Sequence, residues 1–163
     1  MIIAHMIALL VAAPSAAAPA TSASTCPVAT EAEVRAEFVR WTAAYEARDL
    51  AGTMAIFAPD VRFQFQGVPD FGRDQLEASY RAEFAQREGG RWTPAWEGFL
   101  VSGDLAAAFS TWTNATVDAE GHGEAVMINR SVDVLRRGAD CRWRIVRSLT
   151  YPRLRPAGSA PSP

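Results

Sequence analysis

Lysine is absent from the 163-residue chain, so all of its 16 basic residues are arginine, set against 18 acidic residues for a net charge of −2. That balance offers no basic face to nucleic acid. Histidine and cysteine are nearly as scarce, two of each (His5, His122, Cys26, Cys141), which excludes most zinc sites built from several imidazoles or thiolates. No Gly-rich phosphate loop occurs, so neither a metal nor a nucleotide cofactor is called for. What is present is ordinary for one globular domain: 49% hydrophobic and 21% charged residues. A chain of this size can bury roughly 68% of its unfolded surface and needs no metal to build a core.

Residues 2–13 form an uncharged apolar run, the length of a signal-peptide core and too short to cross a bilayer of about 30 Å. Small residues at Ala18 and Ala20, or at Thr21 and Ala23, follow it and suit a signal peptidase. The expectation is a cleaved signal at 1–23, a short segment 24–29 carrying Cys26, and an exported protein, periplasmic or secreted, with no lasting membrane association. A retained N-terminal anchor is the alternative. Export makes an even cysteine count read as a pair, so Cys26 is expected to bond Cys141, more than 100 residues away; two unrelated thiols are the alternative.

Thr30 and Glu33 form a capping-box pattern that predicts a helix with Val34, Phe38, Trp41 and Tyr45 on one face. Asp49 is placed to cap a second helix carrying Leu50, Met54 and Phe57 and stopped before Pro59. Residues 60–66 alternate as a strand, and a third helix follows Gly72 with Leu76, Tyr80 and Phe84, ended by Gly89 and Gly90. From Arg91 the periodicity becomes extended, with strands expected near 91–101, 105–117, 124–137 and 141–151. The domain is therefore expected over 30–152, an α+β layer fold with helices on one sheet face. The Pro-, Ala- and Ser-rich residues 153–163 read as a disordered tail.

Several segments resemble the nuclear-transport-factor-2-like (NTF2-like) superfamily, and within it the SnoaL-like proteins and ketosteroid isomerases. They are Tyr45 to Leu50, Phe57 to Val61, Gly72 to Asp74, Ser131 to Arg137 and Trp143 to Val146, in that order. The resemblance implies a cone-shaped, cystatin-like fold, three N-terminal helices on a curved and mostly antiparallel sheet, with an apolar pocket at its open end. It also implies a homodimer through the outer sheet face. Isomerases, dehydratases and cyclases share the fold, so the fold alone does not decide the reaction.

By the same resemblance, the steroid-isomerase base falls at Phe65, its oxyanion tyrosine at Trp41 and its oxyanion aspartate at Asp133. Phenylalanine accepts no proton, so true ketosteroid isomerisation is not expected. Superfamily dehydratases rely on pocket histidines, whereas His122 lies in a glycine-rich turn and reads as exposed.

Strand alternation sets Asn129, Ser131 and Asp133 on one face and Val132 and Val134 on the other. If the polar face looks into the pocket, Asp133 is a candidate catalytic acid or base, with Asn129 and Ser131 beside it. If it looks outward, Asp133 pairs with a strand arginine such as Arg130 or Arg144. Trp41, Tyr45, Phe65, Tyr80 and Trp112 are candidate pocket walls, although packing alone would also account for them. Two functions remain in view. One is an exported protein that binds a small, largely apolar organic molecule, with cofactor-independent isomerase, lyase or cyclase chemistry at Asp133. The other is a dimeric binding or assembly module with no reaction.

Overall fold

In the computed structural model, which describes residues 26–85, 89–117 and 123–152, Thr30 caps the first helix through both halves of its box. Its Oγ1 accepts from the Glu33 amide at 3.3 Å, and Glu33 Oε2 accepts from the Thr30 amide at 3.0 Å. Helix α1 (Glu31–Glu46) then buries Val34, Phe38, Trp41 and Tyr45, the stripe that its spacing predicts. Arg48, at φ 55°, reverses the chain, and the Asp49 carboxylate accepts from the Gly52 amide at 3.0 Å to start α2 (Leu50–Met54).

Phe57 corrects the expected second helix, because α2 ends at Met54 and Phe57 opens strand β1 (Phe57–Phe65). Pro59 is tolerated there because the pairing of β1 is interrupted between Phe57 and Arg62, where no ladder amide is required. A two-residue strand, β2 (Phe71–Gly72), was not anticipated; it pairs antiparallel with β1. Helix α3 (Arg73–Ala85) begins directly after Gly72, and Arg73 Nη1 donates to the carbonyls of Met54 at 3.0 Å and Phe57 at 2.6 Å. That one guanidinium ties α3 to the α2–β1 junction.

Gly89 and Gly90, expected to end α3, instead open β3 (Gly89–Ser102) opposite Val117 and Thr116. Gly90 has no room for a side chain, since a Cβ would lie 2.8 Å from Asn114 Oδ1 and 3.2 Å from the Tyr45 hydroxyl. β3 and β4 (Leu105–Val117) join through Gly103 and Asp104, with Gly103 at φ 56° as a two-residue hairpin requires. β5 (Gly123–Arg137) and β6 (Trp143–Pro152) follow. Cys141, expected at the start of the last strand, lies in the β5–β6 turn at φ 60°, and its amide donates to the Gly138 carbonyl at 2.9 Å.

The sheet order is β2-β1-β6-β5-β4-β3, with β1 and β6 parallel and every other pair antiparallel. Register shifts at Trp96/Gly98, Asn114/Ala115 and Val134/Leu135 interrupt the ladders of the long strands, and such bulges bend a sheet. The helices cover the inner face, giving an α+β layer architecture. The expected signal at 1–23, the tail at 153–163 and the His122 turn lie outside the described residues.

At the β5–β6 turn, Cys26 is disulfide-bonded to Cys141. Arg137, only 2% exposed at its side chain, supports that corner: it donates to the Pro27 carbonyl at 2.5 Å and to Glu33 at 2.9 Å. Glu37, buried on the inner side of α1, accepts from Arg142 at 2.7 and 2.8 Å and from Arg40 at 3.1 Å. Burial raises its pKa, but the two guanidinium groups outweigh that and hold it below the ordinary 4.5.

Candidate functional site

The inner faces of β5 and β6 carry a polar ladder inside an otherwise apolar wrap. Alternation along β5 brings Asn129, Ser131 and Asp133 inward, all at most 6% exposed, while register sets Ser148 opposite Asp133 and Thr150 opposite Ser131. Ser148 donates to Asp133 Oδ1 at 2.6 Å and Ser131 to Oδ2 at 3.1 Å; Ser131 also lies 3.3 Å from the Thr150 hydroxyl.

Among the described residues no cation pairs with this carboxylate. Arg130 is bonded to Glu97 and Arg144 to Asp140, so the outward, arginine-paired reading of Asp133 does not apply. Loss of water raises the Asp133 pKa from 3.8 to about 6, although the two serine hydroxyls pull in the opposite direction. A carboxyl poised there exchanges protons readily near neutral pH.

Above the ladder lies a cavity of about 210 Å³. Helix α1 contributes Phe38 and Trp41 to it, α3 contributes Leu76 and Tyr80, and β1 contributes Phe57, Phe63 and Phe65. Trp92 and Trp112 close the side formed by β3 and β4, with the Trp112 ring edge-on to Trp41 at 5.3 Å between centroids. The tryptophans and phenylalanines make the walls apolar, and Asp133 is the one charged residue among those lining the space.

Trp41, Phe65, Tyr80, Trp112, Asn129, Ser131 and Asp133 line one cavity. Tyr45 does not. It packs against Tyr80, Phe84 and Trp92, and its hydroxyl donates to the Glu83 carboxylate. Burial and then that carboxylate push its pKa up to about 12. The helical stripe placed Tyr45 on the correct face, but one turn too far along for the cavity. Ser148 and Thr150 were missed because the register shift at Val134/Leu135 advances β6 by one residue: counting outward from the β5–β6 turn would set Arg147 and Leu149, not Ser148 and Thr150, opposite Asp133 and Ser131.

At the cavity the buried Asn129 Oδ1 has no hydrogen-bond partner among the described residues, whereas the Trp41 indole N–H is directed to the Tyr80 hydroxyl. The Asn129 amide nitrogen is engaged at 3.0 Å from Met127 Sδ. A thioether can only accept, so the amide oxygen is the atom left over. Among the described residues no group of three or more His, Cys, Asp or Glu is placed to hold a metal ion, and no helix is long and apolar enough to cross a membrane.

Comparison with known proteins agrees with this architecture. A family model described as a SnoaL-like domain matches residues 38–146. A protein of unknown function from Mycobacterium tuberculosis superposes with a TM-score of 0.67 at 23% identity, over 77% of this chain and 73% of that one. A ketosteroid isomerase-like protein from Erwinia carotovora atroseptica gives 0.60 at 20% identity, over 76% and 96%. An NTF2-like protein with a cystatin-like fold from Novosphingobium aromaticivorans gives 0.60 at 21% identity, over 79% and 83%. At these identities the likeness concerns the fold. No curated protein sequence matches the chain.

Proposed function

The chain belongs to the SnoaL-like domain family, and from that premise we propose that it binds a small, largely apolar organic molecule in the cavity and moves a proton on it with Asp133. The observation that carries this reading is a lone carboxyl, 4% exposed and paired with no cation among the described residues, at the floor of an aromatic-walled cavity. Protonated, Asp133 donates a hydrogen bond or a proton to a ligand oxygen; ionised, it removes a proton from carbon beside a carbonyl. Phe65 stands where the resembling steroid isomerases keep their base, so the carboxyl that takes the proton is also the one that returns it. This is cofactor-independent isomerase- or lyase-type chemistry by one shuttling group.

The test is deuterium incorporation at the carbon next to the carbonyl of 2-tetralone in heavy water, followed by NMR. The protein should accelerate exchange, with a rate that rises through about pH 6, and Asp133→Asn should abolish the acceleration. Equal rates with and without Asp133 would remove the proposal.

The assembly reading also draws on one observation. Phe109, Val132 and Leu149 stand in a row across the outer sheet face, each only half-buried, and Leu100 and Leu105 at its edge are 65% and 56% exposed. Such a face favours a second copy of the chain as its cover. Light scattering should give twice the monomer mass, and Val132→Asp should return it to one. Export is proposed from the Cys26–Cys141 bond, which persists in oxidising compartments. Detection of the bonded form only in the cytoplasm would contradict it.

A further inference from the structure

We infer that Ser148 is a nucleophile activated by Asp133, and that the cavity cleaves small, neutral esters through an acyl-serine. This goes beyond proton transfer on a bound ligand: it shares Asp133 with that reading, but carbon deprotonation makes no use of the Ser148 oxygen. A serine becomes nucleophilic where a base lies within hydrogen-bond reach and a third group orients the base. Ser148 Oγ donates to Asp133 Oδ1 at 2.6 Å, from a position directly opposite on the β5–β6 ladder. Ser131 holds the other carboxylate oxygen at 3.1 Å and so fixes the orientation of the base. Ser148 and Asp133 both line the cavity, so the pair faces the space that a ligand enters.

An aspartate of ordinary basicity is too weak a base for this step. Burial lifts Asp133 from 3.8 to about 6, close to the roughly 6.5 of the histidine that fills this role in serine hydrolases. The developing oxyanion also needs a donor. The Thr150 hydroxyl, in the cavity lining, lies 3.5 Å from Ser148 Oγ and 3.3 Å from Ser131 Oγ. Either atom of each pair can donate, so Thr150 can turn its proton to a ligand oxygen beside Ser148.

In the first step Ser148 Oγ bonds to the ester carbonyl carbon as its proton passes to Asp133; the ester C–O bond then breaks and the departing alcohol takes that proton. Water, the co-reactant, attacks the acyl-serine and gives a proton to Asp133. The bond from the acyl carbon to Oγ breaks, Ser148 recovers the proton, and a free acid is left. The cavity selects the substrate. Its volume, about 210 Å³, is below the roughly 300–1,000 Å³ common for drug-sized ligands, which limits the acyl chain. No arginine is among the described residues that line it, so an anionic substrate would be desolvated beside ionised Asp133 with no counter-ion. The acid product meets the same repulsion, which favours its release.

The test follows release of 4-nitrophenol from 4-nitrophenyl acetate at pH 7, with the acylated residue located by peptide mass mapping after an acid quench. Acetyl is expected on Ser148, at a rate that rises through about pH 6. Ser148→Ala should abolish it, and Asp133→Asn and Thr150→Val should each slow it about a hundredfold. The octanoate ester should react more slowly than the acetate, and 4-acetoxybenzoate more slowly than the neutral 4-acetoxybenzamide, each by about tenfold or more. Absence of acetyl on Ser148, or an undiminished rate in Ser148→Ala or Asp133→Asn, would overturn the inference. An octanoate as fast as the acetate, or a benzoate as fast as the benzamide, would overturn the substrate class. A protein that exchanges deuterium into 2-tetralone but never acylates keeps the proton-transfer reading and loses this one. Should Ser148→Ala fail to fold, mapping of the acetyl group on the unaltered protein still decides.

Discussion

Replacing Asp133 by Asn should make the protein more stable at neutral pH, and the gain should vanish in acid. In the unfolded chain the carboxyl ionises near 3.8, whereas in the folded protein burial raises that to about 6. Below about pH 3.8 both states hold the proton and the residue is neutral in each. Between 3.8 and about 6 the folded chain keeps a proton that the unfolded chain has released, so stability declines as pH rises. Above about 6 the folded protein carries a desolvated charge. At about 1.4 kcal/mol per pH interval, the accumulated cost approaches 3 kcal/mol. Asparagine keeps an acceptor for Ser148 and offers its amide N–H to the Ser131 hydroxyl, which turns to accept it, without the charge, so the variant avoids that cost. The assay is urea denaturation of both proteins at pH 4, 5, 6, 7 and 8, taking the difference at each pH so that the other carboxylates cancel. The difference should grow by about 2–3 kcal/mol from pH 4 to pH 8, a midpoint displacement of about 1–2 M urea for a domain of this size. A difference that is flat with pH, or that favours aspartate more strongly as pH rises, would refute the claim that this carboxyl is buried without a counter-charge.

Other outcomes follow from the same contacts. Glu37→Ala should destabilise the fold by about 2–4 kcal/mol by circular dichroism, since it leaves Arg142 and Arg40 without their shared partner. Because the Glu37 pKa is lowered, its contribution is present above about pH 4.5 and lost as pH falls through the depressed value, so the variant's deficit should shrink in acid. Changing Cys26 and Cys141 together to serine should lower stability by up to about 5 kcal/mol, as expected on opening a loop of 115 residues, and an unchanged denaturation midpoint would contradict a bonded pair. Arg73→Met should cost about 2–3 kcal/mol, because the carbonyls of Met54 and Phe57 lose their shared donor.

Much of this architecture is legible in the chain because it depends on neighbours in sequence. The Thr30–Glu33 box, the α1 stripe and the alternation of Asn129, Ser131 and Asp133 are local patterns with one physical outcome. The Cys26–Cys141 bond was legible from the even cysteine count taken together with the expected export, since the chain holds no other cysteine. The features that escaped are those set by distant strands. Phe57 reads as the next turn of a short helix, yet β6 takes it into a parallel ladder opposite Ile145. Gly89 and Gly90 read as a helix stop, and only pairing with β4 makes them strand. Tyr45 lies on the inward face of α1, but Phe84 and Trp92 close over it, and helical period alone does not reveal how far a cavity extends.

The central claim is that Asp133 is the proton-exchanging group of a ligand cavity. Its most direct test is the carboxyl ¹³C resonance of Asp133, assigned by its loss in Asp133→Asn and titrated with and without 1-tetralone. A midpoint near 6 that moves when the ketone binds is the predicted result. A midpoint at or below the ordinary 3.8, indifferent to the ketone, would contradict the account.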